Sequence, residues 1–410
     1  MSPSRFLGFL AAWALITGCA SRSHFPLRFE AATPWADPIR AYLEAGEEHF
    51  PQGFSRGITT LEVFDGRLWM GYGDATRNMG SKVPIEFRSL ASSDDPTWVA
   101  APVLAGGQGA PQRTPTDTGE EQIEPYRVCG GVLCQAGVDS TDADELWTQA
   151  KGPERRIEGN FFRYEDGSWR KLRTIPGGEH VHDLGFLDGV IYAVGSGADD
   201  RAEFEGGQIF RYLWRSRDQG ATFETVQRVL YPEFGKGDTR FRKLLAVGRT
   251  LYVFGYVEPD GGPREGRHLR VGDGELEELG GVLATRVVAR TYELPDGTGL
   301  VVTRSQDGRT RVFRARENGF TDLVAWAERR VIDAAVAPEH ARLLVLSGDL
   351  GEPEHFAVHS ASLDALEELE LALDFGLEAP SALALWEHRL FIGTNAGAIW
   401  RALPVVAHVP

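Results

Sequence analysis

The sequence predicts an all-β fold, a seven-bladed β-propeller of four-stranded antiparallel blades that follows a short N-terminal tether and helix. A hairpin of two apolar strands around a tight turn recurs seven times, with the turns near residues 66, 130, 189, 249, 297, 341 and 388. A third strand with aromatic residues follows most hairpins, as in Asn160-Phe161-Phe162-Arg163-Tyr164, and a polar turn leads to a fourth. Four strands per repeat are typical of a propeller blade.

The N-terminal segment has the features of a secretory signal. Arg5 supplies a positive charge, and Phe6 to Ile16 form an apolar run too short to span a bilayer. The string Leu15-Ile16-Thr17-Gly18-Cys19 resembles the lipobox of bacterial lipoproteins. This resemblance implies that residues 1–18 are removed as a signal peptide and that Cys19 is acylated.

The predicted lipid places the protein outside the cytoplasm, anchored in the cell envelope. Ala20, directly after the lipobox, resembles the pattern that permits sorting to the outer membrane. We therefore expect an outer-membrane location if the cell has two membranes.

Residues 19–56 are expected to form the lipidated tether and a short helix, and residues 57–410 the propeller. Asp37 and Pro38 suit the N-cap and first turn of that helix, which we expect to cover the propeller. After Trp400 only a short tail remains. Either that tail or a segment before Thr59 must therefore supply the strand that closes the ring.

The acidic composition disfavours a nucleic-acid partner. The chain has 59 Asp and Glu against 43 Lys and Arg, a formal net charge of −16. No Lys/Arg stripe is evident, and phosphate contacts require one. The acidity also disfavours adhesion to anionic lipid headgroups, so the predicted contact with a membrane is the N-terminal lipid.

Two cysteines, Cys129 and Cys134, remain after the lipobox and flank Gly130-Gly131. An oxidising compartment would allow them to form a disulfide. A two-residue turn would place them on one face of the hairpin but diagonally, which is marginal geometry for a disulfide. The sequence leaves the bond open.

The segment from Ser216 to Phe223 reads SRDQGATF and resembles the Asp-box, a turn with the pattern S-x-D-x-G-x-x-aromatic found in sialidase-like propellers. In such a turn Ser216 occupies the first position, Asp218 accepts hydrogen bonds from turn amides and Gly220 adopts positive φ. The aromatic residue, Phe223, packs into the blade. The resemblance implies a sialidase-like propeller with this turn on the face opposite the active site.

The catalytic pattern of that family is not matched. Its early Phe/Tyr-Arg-Ile-Pro motif has no equivalent, and the nearest strings are Phe87-Arg88-Ser89-Leu90 and Tyr126-Arg127-Val128-Cys129. We therefore assign no catalytic residue from the resemblance.

Propeller geometry places the loops between second and third strands, and the loops between blades, on one face. The long stretches 71–86, 101–121, 136–159 and 173–182 fall on this face, which makes it the candidate functional face. The candidate ligand-binding residues on it are Tyr72, Asp74, Arg77, Asn78, Asp139, His180 and Arg242. Together with Lys243, Arg290 and Asp333 near other inner-strand starts, they predict a mixed-charge mouth suited to a sugar or a peptide.

The same face carries four candidate catalytic residues, Glu121, Glu124, His182 and Asp183. A histidine with several carboxylates could perform acid–base chemistry or hold a divalent cation, and no other cofactor is indicated. The chain has no Gly-rich phosphate loop, Gly-x-Ser-x-Gly elbow or HExxH string.

These features favour a lipid-anchored propeller that binds a carbohydrate, a peptide or an envelope protein without turnover. One alternative is a glycan-active hydrolase or lyase that uses the four candidate catalytic residues. Another is a structural component of an envelope assembly. The missing motifs weigh against an enzyme.

Overall fold

The structure, a computed structural model, describes residues 27–29, 34–49, 57–77, 80, 82–106, 114–140, 156–230, 237–259, 262–272, 275–305, 309–323, 326, 329–337, 341–352, 354–377 and 379–404. Within these ranges the strands form seven sheets arranged as the blades of a propeller, which confirms the predicted fold. No helix of the described ranges has both the length and the apolar character needed to cross a membrane.

Two elements precede blade 1 in the described part of the chain. They are strand β1 (Leu27–Phe29) and helix α1 (Arg40–His49). Blade 1 consists of β2 (Ile58–Phe64), β3 (Arg67–Tyr72), β4 (Arg88–Leu90) and β5 (Val99–Ala100), with a 3-10 turn at Ala75–Arg77.

The next eleven strands build blades 2 and 3. They are β6 (Val103–Gly106), β7 (Glu120–Gln122), β8 (Arg127–Cys129), β9 (Val132–Ala136), β10 (Val138–Ser140), β11 (Glu158–Glu165), β12 (Ser168–Pro176), β13 (His180–Leu187), β14 (Val190–Gly197), β15 (Phe210–Ser216) and β16 (Glu224–Leu230), with helix α2 (Arg201–Glu205) after β14. Blade 2 has the order β8-β9-β11-β12, and β6 adds a parallel strand at its outer edge. Blade 3 has the order β13-β14-β15-β16, and β10 and β7 extend it inwards.

The remaining strands form blades 4 to 7 in sequence order. They are β17 (Gly237–Val247), β18 (Thr250–Pro259), β19 (Glu265–Gly272), β20 (Glu275–Glu278), β21 (Val287–Glu293), β22 (Gly299–Arg304), β23 (Thr310–Arg316), β24 (Gly319–Asp322), β25 (Arg329–Ala337), β26 (Arg342–Asp349), β27 (Phe356–Ser362), β28 (Ala365–Phe375), β29 (Pro380–Trp386), β30 (Arg389–Thr394) and β31 (Ile399–Pro404), with a 3-10 turn at Gly281–Leu283. Blade 7 has the order β29-β30-β31-β1.

Strand β1 closes the ring. It pairs antiparallel with β31, with Leu27 opposite Pro404 and Phe29 opposite Ala402. The N-terminal segment, rather than the C-terminal tail, therefore supplies the fourth strand of blade 7. Since β1 lies within the range expected to be tether, the propeller begins before residue 57.

Helix α1 covers the seam between blades 7 and 1. It begins at Arg40, two residues after Pro38, which the sequence placed in its first turn. The Tyr42 ring contacts the Tyr72 ring edge-on with centroids 5.2 Å apart, while Ile39 and Leu43 pack over Gly397 of blade 7. Ile39 and Tyr42 are both buried.

The hairpin turns follow from local backbone preferences. Asp188 and Gly189 have φ values of 50° and 80°, as a two-residue type I′ turn requires, and its twist matches that of the flanking strands. These turns and the Asp-box-like turn lie on one face, here called the turn face. The loops between second and third strands and between blades lie on the other, here called the loop face.

Six inner strands carry a one-residue bulge near their start. The register shifts lie at 58/60, 181/183, 241/243, 288/290, 331/333 and 380/382. A bulge re-aims the side chains that follow it. Asp183, Lys243, Arg290 and Asp333 all come directly after a bulge, so the bulges set the directions of the charged side chains near the channel.

The bulges also explain why four second strands carry a glycine near their end. Gly71, Gly195, Gly255 and Gly393 lie opposite the bulges of their blades. A Cβ on Gly195 would overlap the carbonyl oxygen of His180. The small residues therefore make room for the inner strand.

Candidate functional site

The candidate site is at the loop-face end of the central channel. We use the term channel mouth for Glu124, His180, Arg242, Lys243 and Arg290, which lie in the early part of inner strands or in the loop that precedes blade 2. Glu124 lies at its centre, with its Oε2 3.5 Å from Lys243 Nζ and its Oε1 3.9 Å from Arg242 Nη2. Gln122 Nε2 donates to Glu124 Oε1 at 3.3 Å.

Glu124 reaches the channel mouth because its segment leaves the regular blade path. Strand β7 pairs with β10, and Gln122 forms a bridge to Gly73 of blade 1. The amide of Ile123 then donates to the carbonyl oxygen of Tyr72 at 2.9 Å. Glu120, Glu121 and Glu124 are consequently all less than a tenth exposed.

Arg127 crosses the channel below the mouth. From blade 2 its guanidinium donates to both carboxylate oxygens of Asp183 in blade 3, at 2.8 and 2.7 Å, and to Thr291 Oγ1 of blade 5 at 2.9 Å. Burial alone would lower the pKa of Arg127, but the charge of Asp183 raises it above its usual value. The guanidinium therefore stays charged and ties three blades together.

Asp183, a predicted catalytic residue, is fully engaged in this contact. Besides the two bonds from Arg127, its carboxylate accepts the backbone N–H groups of Leu184 at 2.9 Å and Leu244 at 2.8 Å. Four donors surround a side chain that is 1% exposed. The geometry fits a structural role better than a chemical one.

Arg290 and Asp333 repeat the arrangement on the other side of the channel. Arg290 Nη1 lies 3.2 Å from Asp333 Oδ1, and its Nη2 donates to the carbonyl oxygen of Ser381 in blade 7 at 3.3 Å. Asp333 also accepts from the Leu383 amide and the Tyr292 hydroxyl, both at 2.8 Å. The channel is thus crossed by two arginines.

His182 is the bulged residue of β13 and is 1% exposed. Burial, and then the charges of Arg242 and His180, lower its pKa well below the usual value. Its Nδ1 lies 3.5 Å from Arg242 Nη1, and its buried Nε2 has no hydrogen-bond partner among the residues that the structure describes. The imidazole is therefore neutral at pH 7.

No described group of three or more His, Cys, Asp or Glu side chains could hold a metal ion. Binding of a divalent cation by the predicted residues stays a prediction. His180 lies beside the buried imidazole, with ring centroids 5.9 Å apart, and its Nδ1 is 3.5 Å from Glu179 Oε2.

Two predicted ligand-binding residues serve the framework instead. Tyr72 is 1% exposed, its hydroxyl accepts the Glu86 amide at 3.0 Å, and burial raises its pKa to about 12. Asp74 is 2% exposed and accepts the Thr76 amide at 3.0 Å, which stabilises the 3-10 turn that follows. Both side chains are thus buried and accept a backbone amide, and their predicted contact with a ligand stays a prediction.

The other predicted positions are more scattered. Arg77 is exposed at the end of the 3-10 turn, Asp139 lies in β10, and Asn78 lies outside the described residues. The stretch 173–182, expected to be a long loop, is mostly strand, because β12 continues to Pro176 and β13 begins at His180.

The Asp-box-like turn joins β15 to β16 on the turn face. Asp218 Oδ1 accepts from Ser216 Oγ at 2.8 Å and from the Thr222 amide at 2.9 Å. Gly220 has a φ of 87°. The Phe223 ring packs on Phe161 of blade 2 with centroids 5.5 Å apart, so this turn joins neighbouring blades.

Cys129 and Cys134 are free, buried thiols in the structure. In the hairpin Cys129 is opposite Val132, and Cys134 is opposite Arg127, which makes the two cysteines diagonal neighbours. A hydrogen bond with Cys134, together with burial, raises the pKa of the Cys129 thiol well above its usual value.

Sequence reasoning missed Arg304 and Arg330, at the loop-face ends of blades 5 and 6. Arg304 ends β22, and Arg330 is the second residue of β25. A signal was available for Arg304: the equivalent positions of blades 3, 4 and 6 hold Ser196, Tyr256 and Gly348, none of them charged.

Comparison with protein-family models finds no match, and comparison with curated proteins finds none either. Among solved structures the chain is similar to a Mycobacterium tuberculosis puromycin-hydrolyzing peptidase, with a TM-score of 0.51 and 12% identity over 94% of this chain and 57% of that one.

Two further similar structures have lower TM-scores. The β-propeller domain of the Trilobed protease from Pyrococcus furiosus has a TM-score of 0.44 and 8% identity, over 83% of this chain and 91% of that one. A polysaccharide lyase PL25, an ulvanlyase, has a TM-score of 0.47 and 13% identity, over 84% of this chain and 91% of that one. At such identities the likeness concerns the fold alone, and the strand order establishes that fold: the chain is a seven-bladed β-propeller.

Proposed function

We propose that the protein is a lipid-anchored, extracytoplasmic propeller that binds a carbohydrate, a peptide or an envelope protein at its channel mouth without turning it over. The observation that carries the proposal is the channel mouth itself. Blades 3, 4 and 5 and the segment before blade 2 direct charged side chains to it, and Arg127 and Arg290 cross the channel. A ligand there would meet charged groups held by rigid strands.

The same side chains give less support to turnover. Asp183 has four hydrogen-bond donors, and Glu124 lies between two cations. His182 is buried and neutral, so it carries no proton that it could donate as an imidazolium. A glycan-active enzyme based on Glu121, Glu124, His182 and Asp183 therefore remains the weaker alternative.

Hydrogen exchange of the full-length protein with cell-envelope extract tests the binding face. We expect slower exchange in residues 71–77, 114–126 and 177–183 when extract is added, because a bound partner would shield their amides. The tight turns at 64–67 and 187–190 on the turn face are the internal control. Protection confined to those turns would contradict the proposal.

The anchor is tested by replacing Cys19 with serine. A hydroxyl cannot replace the thiol in lipid attachment, so the Cys19→Ser variant should move from the membrane fraction to the soluble fraction, as measured by fractionation and immunoblotting. Cys134→Ser is the matched control and should stay with the membrane. An unchanged distribution of Cys19→Ser would rule out anchoring through this residue.

Pull-downs with the same pair of variants address the alternative of a structural envelope component. A partner captured only by the anchored form would favour assembly at the membrane. A partner captured equally by Cys19→Ser would favour recognition by the propeller itself.

A further inference from the structure

Arg304 and Arg330 lie side by side where blades 5 and 6 meet on the loop face. Arg304 is opposite Thr310 in the register of β22 and β23. Thr310 Oγ1 donates to the carbonyl oxygen of Arg329 and accepts from the amide of Val331 at 3.0 Å. One threonine therefore holds the backbone on both sides of Arg330 against the strand next to Arg304.

The Arg330 guanidinium is held in place by its own blade. It lies over the Phe356 ring, 5.7 Å from the centroid, and against Gly348, where a Cβ would leave it no room. Its Nε is buried and has no hydrogen-bond partner in the described part of the chain. An unsatisfied buried donor is unfavourable, and an incoming acceptor would satisfy it.

The positive charge of this region is only partly balanced. Arg290 lies nearby and is paired with Asp333. Arg329 of β25 lies opposite Asp349 of β26. Among the described residues neither Arg304 nor Arg330 forms an ion pair with a carboxylate. Burial, and then the charges of Arg290 and Arg330, lower the pKa of Arg304, as expected for crowded cations.

We propose that Arg304 and Arg330 bind an anionic group, a carboxylate or a sulfate ester, of an acidic oligosaccharide that extends over the channel mouth. Guanidinium groups recognise such oxyanions through paired, charge-assisted hydrogen bonds. This inference rests on the proposed function and names the ligand class for it.

The neighbouring Glu124 favours a sugar over an acidic peptide. Its carboxylate accepts hydrogen bonds, which the hydroxyl groups of a sugar can donate and the side chains of an acidic peptide cannot. An acidic oligosaccharide supplies hydroxyl donors between its charged groups. The chain as a whole has a net charge of −16, so a polyanion would be repelled elsewhere on the surface and selected here.

Isothermal titration of the full-length protein with a hexuronic acid tetramer tests this inference, with the matching neutral hexose tetramer and oligoglutamate as comparison probes. Arg304→Gln and Arg330→Gln should each weaken binding of the hexuronate roughly tenfold or more, as expected for loss of a charged hydrogen bond. Each should also flatten the salt dependence of affinity. Arg217→Gln, on the turn face and 66% exposed, is the matched control and should bind normally.

Circular dichroism melting checks that the variants are folded, and Arg304→Lys separates loss of charge from loss of the planar guanidinium. Unchanged affinity in the Arg304→Gln/Arg330→Gln double variant would overturn the inference. So would equal binding of the neutral tetramer or of oligoglutamate, or no binding of the hexuronate. If the exchange experiment with envelope extract still shows protection of the loop face, the proposed function survives and only the acidic ligand class fails.

Discussion

Replacing Arg127 with methionine should lower the free energy of unfolding by about 3–5 kcal/mol, the range found when one partner of a buried ion pair is removed. The substitution leaves the Asp183 carboxylate, whose side chain is inaccessible to solvent, without its counter-charge. It also removes the bond to Thr291 that ties blade 2 to blade 5. Chemical denaturation monitored by tryptophan fluorescence would measure the loss.

A second substitution tests the cause. Asp183→Asn removes the buried negative charge while its amide oxygen can still accept a backbone N–H. The double variant Arg127→Met/Asp183→Asn should therefore be more stable than Arg127→Met alone. If the second change brings further loss, the uncompensated charge is not what destabilises the single variant. Arg217→Gln, on the surface, should change stability by no more than about 0.5 kcal/mol.

Replacing Gly195 with alanine should cost about 3 kcal/mol, at the upper end of the range for overpacking. The added Cβ would overlap the backbone carbonyl oxygen of His180 at the bulge, and a backbone group cannot rotate away as a side chain can. The bulge directs Asp183, so we also expect weaker ligand binding at the channel mouth. Denaturation and titration of the same sample measure both effects.

Gly280→Ala is the matched control for this prediction. Gly280 precedes the 3-10 turn with a φ of −85°, and no atom lies within 4 Å of where its Cβ would be. Its stability should stay within about 0.5 kcal/mol of the parent protein. A Gly195→Ala variant as stable as Gly280→Ala would show that the inner strand can move aside without penalty.

The repeat was predictable because each hairpin encodes its own turn. Asp-Gly between apolar strands suffices to set the type I′ turns at 65–66 and 188–189, where both residues have positive φ, so local residues alone predict two strands of those blades. Ring closure was not predictable in this way. The pairing of Leu27 with Pro404 depends on which of two chain ends reaches the open edge of blade 7, and no local pattern decides that.

The charged residues near inner-strand starts were also predictable, because the position of a residue along an inner strand determines how deep in the channel it lies. Arg290 and Asp333 do lie at the channel. Loop residues were not predictable, because an acidic side chain such as Asp74 can serve either a turn or a ligand. The departure of residues 120–126 from the blade path depends on pairing with distant strands, which local sequence does not reveal.

The closing strand also bears on how the protein stands at a membrane. Only the seven residues from 20 to 26 separate the proposed lipid on Cys19 from β1, and a fully extended chain spans at most about 3.6 Å per residue. A lipid on Cys19 would therefore hold the outer edge of blade 7 within about 30 Å of the bilayer. Attachment at the rim of the propeller would leave both the loop face and the turn face open to the surrounding medium.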